Sequence, residues 1–260
     1  MKSHLSVVLA GLVVVTPVGL AAAELPWVGK WKINVAKSDF GQQTVTYTDV
    51  GSGEIQWTAD GMTGKFKMDG KDYPDPDGGT EAWRQIDAAT WETVYKLDGK
   101  VISTDTSRLS ANGKAMTIKS IGTKPNGQAF EDEYALTRVS GGQGLTGKWK
   151  TAKISLSGPS LIEITAFEGD GLTTRNVDYQ SSWNGKFDGK DNPITGPQAR
   201  PGMTVAIRRT GPRSHDFTTK QNGKELYTGS NTVSSDGKML TVVSVATGTT
   251  EKRTAVYDRQ

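Results

Sequence analysis

Cysteine is absent from this 260-residue chain, which excludes disulfide bonds, a thiol nucleophile and metal sites built on thiolates. Histidine is almost absent too, because only His4 and His215 occur, so a site of clustered imidazoles is also excluded. The 31 basic and 28 acidic side chains alternate along the chain and do not cluster. This pattern predicts no nucleic-acid partner. Because disulfide bonds are excluded, packing is the expected source of stability.

A long apolar run occurs at the N-terminus and nowhere else. Lys2 precedes an apolar stretch from Leu5 to Leu20, and three alanines follow it. This pattern predicts a secretory signal peptide over residues 1–23 and a periplasmic or secreted protein. An uncleaved anchor is the alternative, but Pro17 and Gly19 interrupt a run that is already short for a bilayer. No membrane span is expected downstream.

The remaining chain contains an internal duplication. Gly29-Lys30-Trp31-Lys32 returns as Gly147-Lys148-Trp149-Lys150, and four later motifs return in the same order with a nearly constant offset. The duplication predicts a first barrel over residues 24–139, a linker over 140–146 and a second barrel over 147–260.

Short runs of alternating apolar and polar residues dominate both repeats, as in Glu54-Ile55-Gln56-Trp57-Thr58. Asp-Gly and Asn-Gly dipeptides such as Asp98-Gly99 and Asn222-Gly223 separate them, and these dipeptides favour two-residue hairpin turns. An all-β fold follows, with two tandem antiparallel up-and-down barrels. Two β-sandwiches are the alternative.

The Gly-Lys-Trp segment that opens each repeat resembles the Gly-x-Trp of lipocalins and the wider calycin barrels. That resemblance implies an arginine on the last strand against the tryptophan, so Trp31 is expected to pair with Arg138 and Trp149 with Arg259. The whole repeat also resembles an uncharacterised module of exported bacterial proteins, through Gly29-Lys30-Trp31-Lys32-Ile33-Asn34 and the motifs after it. This second resemblance implies a fold and an envelope location, and no reaction.

Two groups of polar residues suggest chemistry. On a strand, Ser214 and Asp216 face away from His215, so no catalytic triad forms there, and a solvated or satisfied histidine is expected. Four carboxylates in the segment 72–81 offer oxygens to Ca²⁺, but their spacing fits no EF-hand, and a solvated loop is expected; they are Asp72, Asp75, Asp77 and Glu81. No catalytic residue, metal ion or cofactor is predicted.

Inward-facing aromatic side chains carry the positive indication of function, since small barrels either fill with side chains or hold one small ligand. The sequence therefore predicts a binding module for a small apolar or amphipathic molecule, with Arg84 and Arg208 available to hold an anionic head group. The predicted ligand-binding residues are Tyr47, Trp57, Phe66, Arg84, Tyr95, Tyr179, Trp183 and Arg208. An envelope interaction protein with filled barrels is the alternative, and a carboxylate-based enzyme is the third. The oligomeric state is not predicted.

Overall fold

The computed structural model describes residues 25–41, 43–59, 61–76, 78–158, 160–197, 199 and 201–260. The predicted signal peptide and Asp77 lie outside these residues. Strands account for the regular structure of the described chain, apart from one 3₁₀ turn at Val35–Lys37. No described helix has the length and apolar character that crossing a membrane requires.

The alternating segments of the sequence form the strands. In the first repeat these are β1 (Gly29–Ile33), β2 (Thr44–Gly51), β3 (Glu54–Ala59), β4 (Met62–Lys67), β5 (Asp69–Pro74), β6 (Thr80–Asp87), β7 (Thr90–Leu97), β8 (Lys100–Leu109), β9 (Ala115–Thr123) and β10 (Ala129–Ser140). In the second repeat they are β11 (Gly147–Ser155), β12 (Leu161–Ala166), β13 (Gly171–Asn176), β14 (Ser181–Lys186), β15 (Asn192–Pro193), β16 (Met203–Gly211), β17 (Ser214–Gln221), β18 (Lys224–Val233), β19 (Met239–Ala246) and β20 (Lys252–Arg259).

The predicted hairpin turns are present where two residues with positive φ join neighbouring strands. Asp98 and Gly99 have φ of 49° and 75° between β7 and β8, and Asn222 and Gly223 have φ of 50° and 78° between β17 and β18. Positive φ at both central residues matches the right-handed twist of the flanking strands. Asp69-Gly70 and Asn184-Gly185, which the same rule predicts as turns, differ because they lie inside β5 and β14.

Two antiparallel sheets of ten strands each result, and both curl into nearly closed barrels, which confirms the predicted architecture. Barrel 1 consists of β2–β11, in the order β4-β3-β2-β11-β10-β9-β8-β7-β6-β5. Barrel 2 consists of β1 and β12–β20, in the order β14-β13-β12-β1-β20-β19-β18-β17-β16-β15. In barrel 2 the free edges meet where Ser182 and Thr195 exchange two backbone hydrogen bonds of 2.8 and 2.9 Å.

The first strands of the two repeats are exchanged between the barrels. β1 pairs with β12 and β20 of the second repeat, and β11 pairs with β2 and β10 of the first repeat. The barrels therefore do not coincide with the ranges 24–139 and 147–260 that the duplication predicts. The physical reason is the short connection after β10: it lets β11 fold back on β10 as a hairpin, and β1 takes the equivalent place in barrel 2.

The predicted tryptophan–arginine pairing is wrong for the same reason. Arg138 lies over the Trp149 ring with Cζ 4.1 Å from the centroid, and Arg259 lies over Trp31 at 4.2 Å. Each guanidinium also donates to turn carbonyls, such as Arg259 Nη1 to Val28 O at 2.6 Å. Each barrel thus has the arginine–tryptophan stack expected of a Gly-x-Trp strand, here called the plug. The tryptophan of each plug comes from the first strand of the other repeat.

The barrels contact each other through a buried ion pair. Lys124 in the β9–β10 turn donates to Asp178 Oδ2 at 3.0 Å and to Gly158 O at 2.6 Å, and both charged side chains are about 4% exposed. Asn126 in the same turn donates its backbone N–H to Asp178 O at 3.2 Å. The turn of barrel 1 is thereby attached to the β13–β14 turn of barrel 2.

Candidate functional site

The interior of barrel 2 contains a cavity of about 200 Å³. Apolar side chains from most of its strands line the cavity, and Leu172, Val205 and Leu240 are almost fully buried there. Trp183 on β14 forms part of the wall, so it lies inside a barrel as the sequence predicts. Apolar cavities of comparable size accept small apolar molecules.

A polar patch interrupts the apolar lining. His215 on β17 and Asn231 on β18 are register partners, and Asn231 Nδ2 lies 2.8 Å from His215 Nε2. Both residues line the cavity, and His215 is 1% exposed. The other two polar atoms of the pair, His215 Nδ1 and Asn231 Oδ1, are buried and have no hydrogen-bond partner among the described residues.

Aromatic rings surround the histidine. Trp27 meets the His215 ring edge-on at 4.9 Å, and Phe187 lies at 5.4 Å. Arg209 covers Phe187 with Cζ 4.4 Å from the ring centroid. Burial, and secondarily the positive charge of Arg209, lowers the pKa of His215 to about 4, so the imidazole is neutral at physiological pH.

The interior of barrel 1 is built differently. Phe66 and Trp83 stack with their ring centroids 4.2 Å apart, and Tyr47 packs edge-on against Trp83 at 5.9 Å. All three rings are buried, so large side chains occupy the space between the strands. Tyr47 and Phe66 therefore lie inside a barrel as predicted, where they belong to a packed core.

Two carboxyl groups also lie inside barrel 1. Trp57 Nε1 donates to Glu81 Oε1 at 2.7 Å, and Ser120 Oγ donates to Asp105 Oδ1 at 2.6 Å. Burial raises the pKa of Glu81 to about 7 and raises the pKa of Asp105 as well. Burial and these two carboxylates raise the pKa of Tyr47, so its phenol stays protonated. Glu81 is 8% exposed and is not part of a solvated loop, which corrects the expectation for that residue.

Strand registers identify the matching positions of the two barrels. Glu81 pairs with Tyr95 in barrel 1 as Val205 pairs with Thr219 in barrel 2. Barrel 2 thus has smaller, less polar side chains where barrel 1 has a carboxylate and a phenol ring.

The predicted tryptophans occupy complementary places. Trp57 on β3 faces Gly64 on β4, where a Cβ would lie 2.5 Å from the indole nitrogen. In barrel 2, Thr174 on β13 faces Trp183 on β14. Each barrel therefore has one tryptophan in this pair of strands. Barrel 1 carries it on the first strand of the pair, β3, and barrel 2 carries it on the second, β14.

Three predicted ligand-binding residues lie away from the barrel interiors. Arg84 is on the outer face and pairs with Glu92 at 2.6 Å, and Arg208 is exposed on the outer face of β16. Tyr179 lies in the β13–β14 turn, where burial and the carboxylate of Asp132 in barrel 1 raise its pKa.

The sequence-based prediction of ligand-binding residues does not include the polar residues inside the two barrels, although the alternation of side chains along the strands identifies them. Phe217 faces inward, so His215 two positions earlier on β17 faces inward too. Likewise, Glu81 lies two positions before the buried Trp83 on β6 and therefore faces the interior of barrel 1. In the described residues, no group of three or more metal-ligating side chains converges.

No protein-family model matches the chain. A search of curated proteins finds no similar sequence.

Proposed function

We propose that this chain is an exported binding protein that holds a small, mainly apolar ligand inside barrel 2. The cavity lined by Leu172, Val205, Leu240 and Trp183 carries the proposal. Burial of an apolar ligand against such walls is favourable by about 25 cal/mol per Å² of apolar surface removed from water. Strands hold the lining in place, which lowers the entropic cost of binding.

The cavity volume restricts the size of the ligand. At about 200 Å³, the space is smaller than the roughly 300–1,000 Å³ of sites for drug-sized ligands. It is slightly larger than an engineered apolar cavity of about 150 Å³ that binds benzene. A single substituted aromatic ring is therefore the size we propose, and a long-chain fatty acid is too large.

Barrel 1 favours the alternative role of a filled, structural module. Its interior holds the stacked Phe66 and Trp83 and the hydrogen-bonded Glu81. Both inward carboxyl groups accept hydrogen bonds from neighbouring side chains, as polar groups of a packed interior do. We propose that barrel 1 supports barrel 2 through the buried ion pair between its own Lys124 and Asp178 of barrel 2.

The proposed location and family follow from sequence features. The N-terminal pattern over residues 1–23 is that of a secretory signal, and we therefore propose a periplasmic or secreted location. The Gly-Lys-Trp strands with their stacked arginines are similar to those of lipocalin-type barrels. A barrel that encloses one small ligand is the use that this similarity favours.

Calorimetric titration with p-xylene tests the proposal. We expect saturable binding of one molecule per chain to the wild-type protein. Thr219→Tyr places in the cavity the ring that barrel 1 carries as Tyr95, and we expect it to weaken binding at least about tenfold.

Thr218→Tyr is the matched control, because Thr218 precedes Thr219 on β17 and faces the outside. We expect this variant to bind p-xylene like the wild type. Absence of saturable binding to the wild type, or equal binding by both variants, would contradict a site inside barrel 2.

A further inference from the structure

The wall of the barrel 2 cavity has hydrogen-bonding capacity that the protein itself does not use. Asn231 Nδ2 and His215 Nε2 lie 2.8 Å apart, yet Asn231 Oδ1 and His215 Nδ1 are buried without a partner in the part of the chain that the structure describes. Both residues line the cavity. Buried polar groups in folded proteins nearly always have a partner. Among the described residues Trp27 Nε1 and Trp83 Nε1 also lack one, but the two atoms of the His215–Asn231 pair are adjacent and belong to residues that line a cavity, which points to a ligand.

The chemistry of the pair defines the missing partner. If Asn231 Nδ2 donates to His215 Nε2, the free atoms are an N–H donor at Nδ1 and a carbonyl acceptor. If Nε2–H donates to the amide oxygen instead, Nδ1 becomes an acceptor and the amide nitrogen a free donor. Either orientation leaves one donor and one acceptor.

The patch carries no net charge. His215 is neutral because burial lowers its pKa to about 4. The groups packed against it are Trp27, Phe187 and Arg209, and the Arg209 guanidinium donates to Asp170 at 2.9 Å. No Asp, Glu, Lys or Arg of the described residues lines the cavity, and the charge of Arg209 is already paired with Asp170, so a neutral ligand is favoured.

From this geometry we infer that barrel 2 selects a small neutral aromatic compound with one hydroxyl group, bound by the His215–Asn231 pair. The hydroxyl donates to the free acceptor and accepts from the free donor, and the ring lies against the apolar walls. This inference rests on the proposed function. Barrel 1 has Trp91 and Ser107 at the matching register, so the pair belongs to barrel 2 alone.

Comparison of p-cresol with p-xylene tests the selection, because the two probes differ only in a hydroxyl against a methyl group. We expect wild-type protein to bind p-cresol at least as tightly as p-xylene. In the double variant His215→Phe/Asn231→Leu, both polar partners are apolar, so p-xylene binding is expected to persist. p-Cresol binding should fall at least about tenfold relative to p-xylene.

Retained p-xylene binding reports that the double variant is folded, and Thr232→Leu, on the outer face of β18, is the control expected to leave both affinities unchanged. If the double variant fails to fold, Asn231→Leu alone takes its place, with the same loss expected for p-cresol. Binding of p-xylene with no hydroxyl preference in the wild type, or a preference that survives the substitutions, would overturn the selection and leave the proposed function standing. No binding of either probe would overturn both.

Discussion

Trp31 lies beneath the guanidinium of Arg259, with Cζ 4.2 Å from the ring centroid, although one residue opens the first repeat and the other ends the second. The equivalent Trp149 packs against Arg138 at 4.1 Å. The two repeats are thus tied together by an exchange of their first strands, an intramolecular counterpart of domain swapping.

Engineered disulfide cross-links test the exchange of β1 and β11 between the barrels. Because the protein has no cysteine of its own, only the introduced pair can form a disulfide. Lys30 is the register partner of Glu163 across β1 and β12, whereas without exchange it would face Thr46, the present partner of Lys148. We expect Lys30→Cys/Glu163→Cys to form a disulfide under mild oxidation, because cross-strand neighbours have suitable Cα spacing. The outcome that contradicts the exchange is a disulfide in Lys30→Cys/Thr46→Cys alone, detected by mass spectrometry of the digested monomer.

Substitution of the two plug tryptophans should destabilise opposite barrels. Trp31 and Trp149 are both fully buried, so replacement by phenylalanine leaves part of the space unfilled. We expect Trp31→Phe to speed amide exchange in β12 and β20, and Trp149→Phe to speed it in β2 and β10, each about tenfold or more. Hydrogen–deuterium exchange with mass spectrometry measures the difference. The reverse assignment would show that the strands are not exchanged.

The pH dependence of the free energy of unfolding should reflect the ionisation of the buried Glu81. Its pKa is raised by burial to about 7 from an ordinary 4.5, so the folded state binds more protons than the unfolded state between these values. Stability therefore falls as pH rises through this range. At pH 8 the cost is about 3 kcal/mol at 1.36 kcal/mol per pKa unit, and Glu81→Gln should remove it while keeping an acceptor for Trp57.

Denaturant unfolding of wild type and Glu81→Gln at pH 4 and pH 8 measures this effect. We expect the variant to be more stable at pH 8 and similar at pH 4. Glu131→Gln is the control, because the Glu131 side chain is 59% exposed. Equal stabilities of wild type and Glu81→Gln at pH 8 would mean that the carboxyl group is not buried as described.

The contact between the barrels depends on Lys124 and Asp178. Lys124→Met leaves Asp178 as an unpaired buried charge, which should cost about 3–5 kcal/mol. Adding Asp178→Leu should recover much of that loss, because both charges are then absent. Lys186→Met, which breaks an exposed pair with Glu168, should cost less than about 1 kcal/mol. Urea unfolding measures all three, and a loss of similar size in Lys124→Met and Lys186→Met would argue against the buried contact.

Alternation of side chains was sufficient to predict the all-β architecture and the interior positions of Tyr47, Phe66 and Trp183. The same alternation assigns Arg208, which was predicted to bind a ligand, to the outer face, since its neighbour Ile207 is 1% exposed and faces inward. Combining residue type with strand face would thus have removed Arg84 and Arg208 from the interior set and added His215 and Glu81.

Other features were not predictable from the sequence. Both first strands read Gly-Lys-Trp-Lys, so either one fits either barrel, and only the tertiary structure decides which tryptophan meets Arg259. Whether a barrel is hollow depends on the summed volumes of side chains from ten strands. The matching pairs Glu81 with Tyr95 and Val205 with Thr219 become comparable once the register is known.

A crystal structure of the protein soaked with p-xylene tests the central claim most directly. We predict electron density for one p-xylene molecule inside barrel 2, in contact with Leu172, Val205 and Leu240. An interior of barrel 2 that is filled by its own side chains, or p-xylene density found elsewhere and not in this cavity, would contradict the account.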